Sequence, residues 1–419
     1  MKNVNNQEYP IMTLREELRD LANEKAGWNG KCCLVQPIAP GLANMINEQE
    51  GLYTLYLRGR ENGQKVDDMR VISSVSRCLN PYEEEGFNEM MKLAVSDDLE
   101  YVVSNTTEAG ICFDDRDSIT DRPASSFPGK LTQLLKRRFE LGLPGFVFLP
   151  CELTDRNGDL LKKCVLQYAD LWNLGDAFKN WIESENIFCC TLVDRINTGF
   201  PGGDEKMRNT SEYFHLWVIE GYADLCKEFP LDKCGLNVIV TDQLERYRTR
   251  KVRILNGAHT STIPYALLNG VQTVAECMED PEISEHMRKC IFEEIIPTLD
   301  LPESELVSYA NDVMTRFKNP YIKHFCTSIA LNSVSKFQVR VLPSILEYIK
   351  RYNKMPENLL KAFAKLIDFY RTDMVNDVPE IAEYMKTATV ADILANESIW
   401  GQDLSFLYNE VNKYVNTQI

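Results

Sequence analysis

The stretch LNVIVTDQLERYRTRKVRILNGAHT, residues 236–260, divides the chain into two kinds of protein. Its first six residues are the last apolar β-type run; after Asp242 helical periodicity takes over and continues nearly to the end. Its last ten residues, KVRILNGAHT, carry apolar positions at helical spacing with no Gly or Pro before Gly257, which predicts a helix. They hold one of only four histidines in the chain. At roughly 100° per residue, Asn256 falls about 140° and His259 about 80° around that helix from Lys251, so all three can face one cleft. The trio suits carbonyl chemistry. A partly buried lysine exchanges a proton near neutral pH. An asparagine amide stabilises a developing alkoxide, and an imidazole hydrogen-bonds the same oxygen. The same spacing also fits a helix end with a solvated lysine, a capping asparagine and a packed histidine.

Upstream of this stretch, apolar runs alternate with helical ones. Lys31–Ile38, Gly51–Arg58, Glu100–Thr107, Gly145–Leu153 and Phe188–Val193 read as strands. Glu83–Ala94, Leu131–Glu140 and Leu160–Leu174 read as helices. Strands rich in Val, Ile and Cys between helices predict a mainly parallel, Rossmann-like sheet covered on both faces. Downstream, Ile283–Glu294, Ser304–Arg316, Tyr321–Asn332, Leu342–Tyr352 and Pro356–Tyr370 read as helices, with prolines where helices start. The fold class expected is therefore α/β plus all-α. A sheet domain over residues 1–245 is followed by a helical domain over residues 246–419.

Composition narrows the function. With 44% hydrophobic and 26% charged residues the chain is an ordinary globular one, long enough for two cores. The net charge of −16 argues against nucleic acid as a partner, and means that an anionic substrate needs a local basic pocket. No apolar run approaches the roughly 20 residues of a membrane span, and MKNVNNQEYPIM has no signal-peptide core. Thirteen cysteines without a CxxC pair point to a reducing cytoplasm and to no metal site. The oligomeric state is not legible. In open parallel sheets ligands bind beyond the carboxyl ends of the strands. SNTTEAG (104–110) and VDRI (193–196) stand at such ends, though turn formers and a structural ion pair read the same way. The segment from Asn319 to Arg340 gathers Lys323, His324, Lys336 and Arg340, a basic cluster that also fits solvated helix faces.

Taken in order, TLVDRINTGFP (191–201), YFHLWVIEG (213–221), VTD (240–242), KVRILNGAH (251–259), RFKNPYIKH (316–324) and SKFQVR (335–340) resemble the long-chain mannitol dehydrogenase family, from about residue 31 nearly to the C-terminus. SNTTEAGI (104–111), LPCELTDRNGD (149–159) and EEIIPTLDLP (293–302) resemble its sugar-acid members. The resemblance implies an NAD-dependent oxidoreductase that interconverts D-tagaturonate and D-altronate in hexuronate catabolism. The alternatives are fructuronate reduction, a mannitol-type polyol dehydrogenase, or a cofactor-incompetent sugar-acid binding protein. It implies Lys251 as general acid and base, Asn256 as the group that polarises the substrate oxygen, and His259 as the group that orients it. The polyol enzymes of the family carry asparagine where Arg195 stands and an acidic residue where Gly221 stands. Arg195, Lys336 and Arg340 are the implied contacts to a substrate carboxylate. Gln36, Asn105, Thr106 and Glu108 are the implied coenzyme contacts. Two features depart from the family. Its Gly-rich pyrophosphate turn is replaced by NNQEYPIMTLREELRDLANEK (5–25), with no G-x-G-x-x-G elsewhere. The strand that should grip the ribose ends in Gln36–Pro37–Ile38, without an acid.

Overall fold

The computed structural model describes residues 13–61, 64–106, 109–199, 207–222, 224–321 and 323–416. Contacts group the chain into two compact units, Met1–Leu244 and Glu245–Ile419.

The described strands of the first unit are β1 (Cys32–Val35), β2 (Tyr53–Glu61), β3 (Gln64–Ile72), β4 (Val75–Leu79), β5 (Tyr101–Ser104), β6 (Val147–Pro150), β7 (Ile187–Phe188), β8 (Cys190–Asp194), β9 (Asn197–Gly199), β10 (Arg208–Glu212), β11 (Leu216–Glu220) and β12 (Val238–Val240). β1 pairs with β4, and β5 with β6 and β6 with β7, all parallel. β11 lies between β12, parallel to it, and β8, antiparallel to it. The period of two along β6 sends its neighbours to different cores. Phe146 and Phe148 pack with the helices Phe127–Glu140, Asn157–Leu171 and Asp176–Glu185. Leu149 and Cys151 pack with Leu18, Leu21 and Ala22 of the helix Thr13–Ala26 and with Trp217. The parallel sheet is thus covered on both faces.

One part of this unit was poorly legible. The sequence reading gives a short strand over Gly51–Arg58; the structure has a nine-residue strand paired antiparallel with another nine-residue strand, Tyr53 opposite Ile72 and Glu61 opposite Gln64. β3 is QKVDDMRVI, charged and largely exposed, with Met69 and Val71 turned to solvent. It is an edge strand whose pairing with β2 outweighs its polar composition.

β1 and β5 both run parallel to their partners but are not paired with each other. Between them lies a cavity of about 720 Å³, lined by Cys33, Val35, Leu99, Tyr101, Val103 and Leu134 among others. Gln36 N–H donates to Leu79 O on one side, and Val147 N–H to Glu100 O on the other. Hydrogen bonding alternates along a strand. The N–H groups of Cys33, Val35, Tyr101 and Val103 therefore face the cavity, where no strand of the described residues meets them. The cavity reaches the carboxyl ends of both strands, where Gln36, Asn105 and Thr106 line it.

The second unit is helical. Its centre is the helix Gly257–Leu268, buried along nearly all its length and packed by Glu357–Tyr370, Pro281–Lys289 and Ser333–Arg340. Helix starts follow their capping chemistry. Thr273 and Glu276 form a reciprocal capping box, and Asp280 accepts from Glu282 N and Ile283 N ahead of Pro281. Leu342–Tyr352 is a helix over the range the sequence gives. Two expectations are corrected. The helix expected over Ile283–Glu294 starts at Pro281 and ends as a π-helical turn, Cys290–Ile295. Among the described residues of the helix expected over Tyr321–Asn332, only Cys326–Ile329 is helical: Phe325, in extended backbone, bridges to Thr273. Among the described residues no helix is long and apolar enough to cross a membrane.

Candidate active site

Lys251–Asn256 is a π-helical turn leading into the α-helix Gly257–Leu268. This corrects the geometry read from the sequence. In a π-helix hydrogen bonds join residues five apart, so Lys251 and Asn256 stand about one turn apart on one side instead of roughly 140° around an α-helix. His259 follows three residues later. Lys251 and His259 are both buried.

The surroundings of His259 are unusual for a histidine in a helical core. Its ring stacks on Phe317 at 4.3 Å and meets the edge of His324 at 5.2 Å. Its Nε2 is buried without a hydrogen-bond partner. Burial pushes its pKa well below the ordinary 6.5, and the charges of His324, Arg340, Arg316 and Lys336 push the same way. The imidazole is therefore neutral at physiological pH and sits in a positive field. A buried polar atom left without a partner costs free energy that a bound ligand recovers by supplying one.

Lys336 and Arg340, from the helix Ser333–Arg340, belong to this cluster through their charges on His259; Lys336 Nζ also donates to Ile329 O at 3.0 Å. Lys323 is exposed. Arg316 belongs to the cluster and was missed. The signal was present: Arg316 falls on the buried stripe of the helix Glu303–Phe317 with Tyr309, Val313 and Phe317, and a charge on an apolar stripe needs a reason.

In the first unit the Arg195 side chain is buried. Its Nη1 donates to Glu17 Oε2 at 2.8 Å and its Nε to Glu212 O at 3.0 Å, while Nη2 has no partner. Gln36 is also committed locally. Its Nε2 donates to Ile38 O, Ala39 O and Asn80 Oδ1, and its Oε1 accepts from Ala43 N, so it braces the turn at the end of β1. Asn105 and Thr106 stand at the end of β5. Thr106 is held by Glu152, which the sequence reading did not single out. Glu108 lies outside the described residues. Asn105 and Thr106 on the β5 side and the braced Gln36 turn on the β1 side line the cavity at the strand ends, where a sheet of this kind receives a nicotinamide coenzyme.

Comparison with known proteins places this geometry. The profile of the mannitol dehydrogenase Rossmann domain matches residues 14–233, and that of the mannitol dehydrogenase C-terminal domain matches residues 243–418. An altronate oxidoreductase of Yersinia enterocolitica is 41% identical, over 96% of this chain and 90% of that protein. Altronate oxidoreductases of Bacteroides thetaiotaomicron and Bacillus subtilis are 42% and 40% identical, over 91% and 94% of this chain and 86% of each relative. Among solved structures, Pseudomonas fluorescens mannitol 2-dehydrogenase, in a ternary complex with NAD and D-mannitol, aligns with a TM-score of 0.76 at 23% identity, covering 95% of this chain and 86% of that one. A D-sorbitol dehydrogenase aligns with a TM-score of 0.77 at 21% identity, over 94% and 88% of the two chains. These two likenesses speak to the fold.

Proposed function

Because the chain belongs to the mannitol dehydrogenase family, we propose that it performs the reaction for which its altronate oxidoreductase relatives are named, the NAD-dependent interconversion of D-tagaturonate and D-altronate. In this reading residues 1–245 hold the coenzyme and residues 246–419 hold the sugar acid and the proton-transfer groups. A bound nicotinamide supplies the hydride in reduction and accepts it in oxidation. Lys251 gives its ammonium proton to the carbonyl oxygen as the carbon is reduced, and its free amine takes that proton back in the reverse direction. The Asn256 amide donates to the same oxygen, stabilising it as alkoxide character develops. Neutral His259 engages it through the unpartnered Nε2. Lys336 and Arg340, with Arg316 beside them, offset the substrate carboxylate in a strongly acidic protein. The enzyme acts in the cytoplasm, as its thirteen cysteines without a CxxC pair suggest.

The observation that supports this reading best is the π-helical turn. It brings Lys251 into line with Asn256 beside a buried imidazole nitrogen that lacks a partner. Replacing Lys251 by Met tests it. Turnover is expected to fall by about 100-fold or more, the range of general acid–base catalysis, while NADH binding and thermal stability hold. Turnover within a few-fold of wild type would overturn the role of Lys251.

A further inference from the structure

At the carboxyl end of β5 a carboxylate is enclosed without being assigned any chemistry. Glu152 is 2% exposed and lies in the turn after β6. Its Oε2 accepts from Ser104 Oγ at 3.0 Å. Its Oε1 accepts from Thr106 N at 2.9 Å and from Thr106 Oγ1 at 3.0 Å. The turn that carries it is itself fixed. Asn157 Nδ2 donates to Pro150 O, Glu152 O and Thr191 O at 2.9, 3.1 and 2.9 Å, and Asn157 Oδ1 accepts from Thr191 N and Gly158 N. Two side chains of LPCELTDRNGD thus tie together the ends of β5, β6 and β8. Thr106 lines the cavity at the strand ends, with Glu152 behind it.

This arrangement fixes a hydrogen-bond polarity. A carboxylate can only accept, and a threonine hydroxyl has one hydrogen and two lone pairs. With that hydrogen committed to Glu152, Thr106 Oγ1 has only lone pairs left for the cavity. A ligand atom that meets it must be a donor. In a doubly wound sheet a dinucleotide binds in the crevice outside the carboxyl ends of the strands, and the donor on its nicotinamide ring is the carboxamide N–H.

We propose that Glu152 is a positioning residue that makes Thr106 an obligate acceptor, and that Thr106 Oγ1 accepts from the nicotinamide carboxamide. This rests on the coenzyme reading given above. A site built to pair with a donor rejects the analogue that lacks it. The probes are therefore NADH and the reduced 3-acetylpyridine dinucleotide, whose methyl ketone has no N–H. Dissociation constants come from quenching of protein fluorescence.

Wild type is expected to bind NADH about tenfold more tightly than the acetylpyridine analogue. T106V and E152A each lose that preference by weakening NADH about tenfold and leaving the analogue within about twofold. E152Q keeps the preference, because its amide oxygen still accepts from Thr106. In all three the KM for the sugar acid is unchanged. A purely structural role for Glu152 would weaken both dinucleotides alike, and that result overturns the proposal, as does an E152Q that behaves like E152A. T106V reports independently should E152A fold poorly. NADH that binds well, with equal losses for both dinucleotides in T106V, overturns this inference alone. No NADH binding by wild type overturns the coenzyme reading and this inference with it.

Discussion

Lowering the pH from about 7 to about 5 should destabilise the helical unit well before its carboxylates are neutralised. The cause is its buried histidines. His286 is held by burial at a pKa of about 4, with Ser261 O 3.2 Å from its Nε2, and His324 is held by burial at about 4 as well. In the unfolded chain both titrate near 6.5. The folded value lies below the unfolded one, so each contribution is complete above pH 6.5 and is lost as pH falls from there toward 4. At 1.36 kcal/mol per unit, the 1.5 units between 6.5 and 5 amount to about 2 kcal/mol for each residue and about 4 kcal/mol for the pair. His259, whose pKa is also lowered, adds in the same direction. Glu294 acts in the opposite sense. Burial raises its pKa despite hydrogen bonds from Asn358 and Leu359, so it gains stability as pH falls. A single pH series on wild type therefore mixes signs, and the informative quantity is a difference. Urea unfolding of wild type and His286→Gln, each at both pH values, should show the stability gap between them shrink by about 2 kcal/mol at the lower pH. An unchanged gap would mean that His286 is charged or solvated in the folded protein, and would refute the argument.

Three further outcomes are expected. Lys336→Met should raise KM for the sugar acid by tenfold or more, the worth of a hydrogen bond to a charged group, while KM for fructose stays within about twofold; equal effects on both would remove Lys336 from the carboxylate. Hydrogen exchange at Cys33, Val35, Tyr101 and Val103, whose N–H groups face the cavity between β1 and β5, should be at least about tenfold faster than at Val147 and Cys151, which donate to Glu100 O and Ser104 O; equal protection would mean that those edges are covered. Gly158→Ala would place a Cβ 2.5 Å from Cys189 O, backbone that cannot yield, and should cost about 1–3 kcal/mol in urea unfolding; an unchanged midpoint would contradict the close approach.

The parts of this protein that were legible in its sequence are those set by local patterning. The runs KCCLVQPI, EYVVSNTT and GFVFLPCEL give β1, β5 and β6 because buried parallel strands need continuous β-branched and apolar residues. Lys251, Asn256 and His259 stood out by residue type and spacing. What was not legible depends on partners far along the chain. The π-helical turn that aligns Lys251 with Asn256 has the same apolar spacing as an α-helix, so its pitch cannot be read locally. Residues 321–332 read as a helix by periodicity, but Phe325 pairs with Thr273, about fifty residues upstream, and that tertiary bond prevails. Glu152 was not singled out, because the Thr106 that donates to it lies 46 residues away in the chain. Arg316 was legible in principle, as a charge on an apolar stripe.

The central claim is tested most directly by following NADH oxidation by this chain with D-tagaturonate, and in parallel with D-fructuronate and D-fructose. The account predicts rapid oxidation with D-tagaturonate and little with the other two. Preference for uncharged fructose would contradict it, because the positive field around His259 is assigned to the substrate carboxylate.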